Sequence, residues 1–146
     1  MARTSERIGK SGEYMTAALL SLESDTVSII PHGSTSDIVF EIDNVIYKCQ
    51  VKTKTKERAN ISKHTGRKYD KGWQFDLRRG KAVKDRKYKE GSIDLYALYC
   101  VPHQTIVFLP ATRKFTKITF TDEEMQTVNS HESFKEAMSQ IKKPTN

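Results

Sequence analysis

No run of apolar residues approaches the roughly 18 that a membrane-crossing helix needs, so no membrane partner is expected. The opening residues, Met1-Ala2-Arg3-Thr4-Ser5-Glu6-Arg7, lead into no apolar stretch of the kind an export signal requires. The chain has two cysteines, Cys49 and Cys100, and they do not form a CxxC pair. Each lies in an apolar, strand-like run, so two buried, reduced thiols are expected in place of a disulfide framework. His32, His64, His103 and His131 are scattered, and no pair has zinc-ligand spacing. Internal repeats and low-complexity tracts are absent. A chain of 146 residues suits one core, so a single domain over 1–146 is expected.

What the sequence does have is unevenly placed positive charge. The net charge is +7, but Lys52 to Glu90 holds 15 Lys and Arg against 5 Asp and Glu, a net of +10, which leaves the rest at −3. A basic block on a neutral-to-acidic frame points to a polyanionic partner. The bland alternative is a basic linker without a partner. The block divides into an arm over 53–72 and a second stretch over 78–91. On the first lie Lys54, Lys56, Arg58, Lys63, Arg67, Lys68 and Lys71, and on the second Arg78, Arg79, Lys81, Lys84, Arg86, Lys87 and Lys89. Most of these would contact phosphates, and a few could read bases. Tyr69, Trp73, Phe75 and Tyr88 are interleaved with the charge, either to stack on bases or, more simply, to pack the sheet.

Hydrophobic periodicity places the first element as a helix over about Ser5 to Leu22. Ser5 is its N-cap, and the stripe is Ile8, Gly12, Met15, Leu19 and Leu22. Glu13 lies beside that stripe, as a solvated glutamate or as a carboxylate facing a cleft. Val27 to Ile30 reads as a short strand. Asp37–Ile42 and Val45–Lys52 read as a hairpin around Asp43-Asn44, two residue types that tolerate positive φ. Counting back from that turn pairs Ile42 with Val45, Phe40 with Tyr47 and Asp37 with Gln50, with Lys52 on the same face. The segment Thr53 to Gly72 has no apolar periodicity and reads as a long loop. Trp73–Leu77, Ile93–Val101, Thr105–Leu109 and Lys117–Phe120 read as strands. Ser130 to Ile141 reads as a helix, with Asn129 and Glu132 placed for a capping box.

Asp37, Gln50, the Val51 carbonyl and Lys52 together suit phosphodiester hydrolysis. That chemistry needs oxygen ligands for a hard cation and a positive charge beside the anionic centre. Glu13 could add a ligand for a water or a second ion.

The order Gly12-Glu13 on a first helix, Ser36-Asp37 opening a strand and Gln50-Val51-Lys52-Thr53 in the next resembles the PD-(D/E)XK nuclease superfamily. It resembles in particular the short group I intron homing endonucleases, in which Gln replaces the second acidic residue. The later runs Trp73–Leu77, Ile93–Tyr99 and Val107–Pro110 extend the likeness over about residues 8–110. The resemblance implies an α/β (α+β) fold with a central mixed β-sheet flanked by helices, a restriction-endonuclease-like core. It also implies magnesium dependence, with manganese substituting, and cleavage of double-stranded DNA. Catalytic residues would be Glu13, Asp37, Gln50 and Lys52; metal ligands would be Asp37, Gln50, Val51 and Glu13. Ser36 stands where the superfamily name has Pro. A single such site in a small chain leads us to expect a homo-oligomer, dimer or tetramer, acting in the cytoplasm of a bacterium or phage-infected cell. Holliday-junction resolvases of the same superfamily are the alternative substrate class. A non-catalytic DNA-binding protein is the alternative that the neutral Gln50 suggests.

Overall fold

The computed structural model describes residues 2–31, 34–78, 91–112, 116–141 and 143. Helix α1 (Ala2–Glu23) precedes β1 (Thr26–Ile29), β2 (Ile38–Ile42) and β3 (Val45–Lys54). Then come β4 (Trp73–Asp76), β5 (Leu95–Cys100), β6 (Thr105–Pro110) and β7 (Lys117–Phe120), followed by α2 (Asp122–Thr127) and α3 (Ser130–Ser139). Five strands form a mixed sheet in the order β1-β2-β3-β5-β6, in which only β3 and β5 run parallel. Strands β4 and β7 form a separate antiparallel pair.

The Asp43-Asn44 turn forms as the sequence suggested, with φ of 50° and 65°. It fixes Ile42↔Val45 and Phe40↔Tyr47. Strand β5 is buried at every position, so its apolar residues serve two faces. Leu95, Ala97 and Tyr99 join Leu20, Ile38, Phe40, Cys49, Val51 and Phe134 in a core beneath α1 and α3. Tyr96, Leu98 and Cys100 join Trp73, Phe75, Leu77 and Met125 in a second core beneath β4, β7 and α2. One face of the sheet is thus covered by helices, the other largely by a two-stranded ribbon. Trp73 and Phe75 are core residues with 4% and 1% exposure, which decides the packing reading for both; Tyr88 lies outside the described residues.

Three expectations need correction. Helix α1 begins at Ala2, so Ser5 is inside the helix and is not its cap. Its buried stripe is Gly12, Thr16 and Leu20, whereas Met15 and Leu22 are exposed. The rotation follows from close packing. A Cβ on Gly12 would overlap the Thr53 hydroxyl and lie 3.3 Å from Val51 Cγ1, so the helix rests on β3 at its bare glycine. The segment after β3 is no open loop. It folds back on itself through an Ile61↔Lys68 bridge. Helix α2 had no counterpart in the periodicity. It starts at a full capping box in which Thr121 and Glu124 exchange side-chain-to-backbone bonds. At α3, Asn129 accepts from the Glu132 N–H.

Candidate active site

The site forms where two strands cease to match in length. Strand β2 begins at Ile38, opposite Cys49, while β3 runs on to Lys54. Among the described residues, β3 pairs beyond Cys49 only with β5, which leaves its other edge without a ladder partner. Asp37 lies at that edge. Its N–H donates to the Cys49 carbonyl at 2.9 Å, the same residue that Ile38 faces in the ladder. Two successive residues therefore address one partner, the arrangement of a β-bulge. The expected pairing of Asp37 with Gln50 stops one step short for this reason. Instead, the Asp37 carboxylate turns to the backbone, and its Oδ2 accepts from the Val51 N–H at 2.9 Å. An otherwise unpaired strand edge gains its partner from a charged side chain.

Gln50 and Lys52 are half-buried. Since Cys49 and Val51 point into the core beneath α1, alternation sends Gln50 and Lys52 to the opposite face. There the Lys52 Nζ donates to the Arg78 carbonyl at 2.8 Å. That carbonyl is itself fixed. Asp76 Oδ1 accepts from the Arg78 N–H at 2.9 Å and from Nε at 3.0 Å, and Oδ2 accepts from Nη2 at 2.9 Å. The bonds to Asp76 raise the Arg78 pKa and keep the guanidinium charged. Glu13, half-buried, follows Gly12 in the turn of α1 that rests on Val51 and Thr53. Helix packing thus sets the residue before Glu13 against Val51 and Thr53, on the side of β3 that faces α1.

Two features escaped the sequence reading. One is the Asp76–Arg78 clamp that receives Lys52; alternation in Trp73–Leu77 already turned Asp76 away from the core. The other is Asp94, which mirrors Asp37 on the far side of β3. Its Oδ2 accepts from the Lys48 N–H at 2.8 Å and pairs with Lys143 Nζ at 2.7 Å. The hint was positional: Asp37 and Asp94 each stand one residue before an apolar strand. Cys49 lies between them. Burial above all, then the charges of Asp37 and Asp94, push its thiol pKa up, so it stays protonated.

A family model for PD-(D/E)XK endonucleases matches residues 4–139, nearly the whole chain. The chain belongs to the PD-(D/E)XK endonuclease family. Its fold is also that of the bacterial homing endonuclease I-Ssp6803I, with a TM-score of 0.59 at 17% identity, covering 92% of this chain and 96% of that one. No curated protein sequence matches the chain.

On this endonuclease, Lys54, Lys56, Lys63, Arg67, Lys68 and Lys71 are exposed on the arm and Arg58 is half-buried. Arg78 is engaged by Asp76. Arg79, Lys81, Lys84, Arg86, Lys87 and Lys89 lie outside the described residues. No described helix is long and apolar enough to cross a membrane.

Proposed function

We propose that this protein is a magnesium-dependent, sequence-specific endonuclease of homing or restriction type that hydrolyses double-stranded DNA in the bacterial or phage-infected cytoplasm. The observation that carries the reading is the Asp37 carboxylate bonded to the Val51 N–H at the edge where β3 presents Gln50 and Lys52. The donors there are all oxygens, one of them charged, which suits a hard cation that retains several waters. Asp37, the Gln50 amide oxygen and the Val51 carbonyl would hold Mg2+, or Mn2+ in its place, with Glu13 holding a water or a second ion. Such an ion supplies Lewis acidity toward the phosphate and a water of lowered pKa. Asp37 orients the attacking water. Lys52 offers its ammonium to the anionic phosphate, exchanging the Arg78 carbonyl for a phosphate oxygen. One site per chain is the reason to propose a homo-oligomer that presents two sites to the two strands.

The test is nicking of supercoiled plasmid by the wild type, Asp37→Ala and Lys52→Ala with magnesium or manganese. Nicking confined to the wild type is the expected result. Binding without nicking in either metal would remove the catalytic reading and favour a binding-only protein, which the neutral Gln50 supports. Nicking that persists in both variants would refute the site. Preference for a four-way junction over linear duplex would shift the substrate to that of a resolvase. Sedimentation as a monomer, free and on DNA, would refute the oligomer.

A further inference from the structure

Between β3 and β4 the chain builds a small, self-supporting arm. The Arg58 N–H donates to the Gly72 carbonyl at 2.8 Å and closes its base. The Tyr69 N–H reaches the Asn60 carbonyl, and the Ser62 N–H reaches the Arg67 carbonyl, so two antiparallel segments run side by side. At the tip, Ser62 Oγ accepts from the N–H groups of His64 and Thr65, and Gly66 takes a φ of 68°. The Tyr69 ring is flanked by two guanidinium groups, Arg58 at 5.3 Å and Arg67 at 5.5 Å from its centroid. Arg58 is also tied through Nε to the Asp70 carbonyl at 2.8 Å. Beside these residues, Asn60, Ile61 and Lys68 complete a cleft of about 600 Å³.

This arm has little core to fold for. Ile61 is 53% exposed and Tyr69 40%, yet backbone bonds and cation–π contacts tie its two segments together. Pre-organised, cationic and exposed is what a nucleic-acid probe requires, since less conformational freedom is lost on binding. The width of a two-stranded ribbon selects the groove. The major groove, about 12 Å wide, admits such a ribbon, whereas the minor groove, about 6 Å wide, does not. The arm also starts close to the site. From Lys52 to Ile61 the chain can span at most about 30 Å, less than one turn of duplex, about 34 Å.

We infer that residues 58–70 are a preformed β-ribbon that enters the major groove of duplex DNA within one turn of the cut phosphate. The inference rests on the DNA-endonuclease reading above. Arg67 and Lys68 present charge to the groove walls, and Tyr69 keeps Arg58 and Arg67 in place. The arm is thus where base readout takes place, apart from the chemistry at Asp37 and Lys52.

Cys49 and Cys100 are both buried, so His64→Cys gives one accessible thiol at the arm tip. The probe is a short random-sequence duplex bearing an activated-disulfide tether either at pyrimidine C5, in the major groove, or at guanine N2, in the minor groove. No divalent metal is added. Cross-linking about tenfold faster to the major-groove tether is expected. Equal rates, a minor-groove preference, or no cross-link to a duplex that the protein binds would each overturn the inference. As a second measurement, Arg67→Ala and Lys68→Ala should each lower the slope of log affinity against log salt by about one. Unchanged slopes in both would also overturn it. Nicking is assayed separately with magnesium. A protein that cross-links but does not nick loses only the nuclease reading, and one that nicks but does not cross-link loses only the arm.

Discussion

Asp37 and Asp94 perform the same backbone task on opposite edges of β3. Each precedes a neighbouring strand by one residue, and each carboxylate accepts an N–H from β3 where that strand is missing, at Val51 and at Lys48. What surrounds them differs. Asp94 is closed off by Lys143, whose ammonium also reaches the Ile46 carbonyl at 2.7 Å, so this carboxylate is a staple between the tail and the sheet. Asp37 opens instead onto the stretch of β3 that carries Gln50 and Lys52. The hydrogen bond to the strand edge is common to both, so it is the neighbouring Gln50 and Lys52, absent around Asp94, that set Asp37 apart as the proposed reactive carboxylate.

Exchanging the charges should break the comparison most sharply. Asp37→Asn keeps an oxygen for the Val51 N–H but loses the charge, so nicking should fall about a thousandfold while thermal stability stays near wild type. Loss of folding in place of activity would make Asp37 a second staple. Asp94→Ala should do the reverse, costing about 2 kcal/mol in denaturant unfolding because a half-buried N–H loses a charged acceptor, with nicking retained. A third aspartate extends the contrast to pH. Asp122 Oδ1 receives His103 Nε2 at 2.7 Å and Trp73 Nε1 at 3.0 Å, and these bonds, His103 first, lower its pKa. A carboxyl depressed in the folded state contributes stability above its unfolded pKa and loses it as pH falls through the folded one. Melting temperature should therefore drop in the acid range below the usual aspartate pKa, and Asp122→Asn should flatten that limb. The smallest effect is at Thr16, fully buried on the inner face of α1, whose hydroxyl has no hydrogen-bond partner among the described residues. Thr16→Val should raise stability by about 1 kcal/mol, read as a rise of about 3 °C in Tm. No rise would mean that the hydroxyl holds a water.

Much of the fold was legible because its signals are local. The Asp43-Asn44 turn set the β2–β3 register, and two-sided burial gave β5 and β6 their unbroken apolar runs. The misreadings occurred where tertiary contact overrode a local pattern. The helix stripe turned toward Gly12 because β3 lies too close for a side chain there. The arm looked structureless because its order comes from backbone bonds and guanidinium–ring contacts, which leave no hydrophobic period. Helix α2 has six residues, too few for a stripe, and was marked only by Thr121 and Glu124.

Asp37, Gln50 and Lys52, the residues proposed for the chemistry, were legible from residue type and from their distance to one tight turn, and both are properties of the chain. Only the tertiary structure decided how Asp37 is aimed. A bulge moves it off the ladder and onto the Val51 N–H, and bulges depend on where neighbouring strands end. Likewise, only the fold brings Arg78 to Lys52 across 26 positions, because a contact between β3 and the chain just past β4 leaves no periodic trace in either.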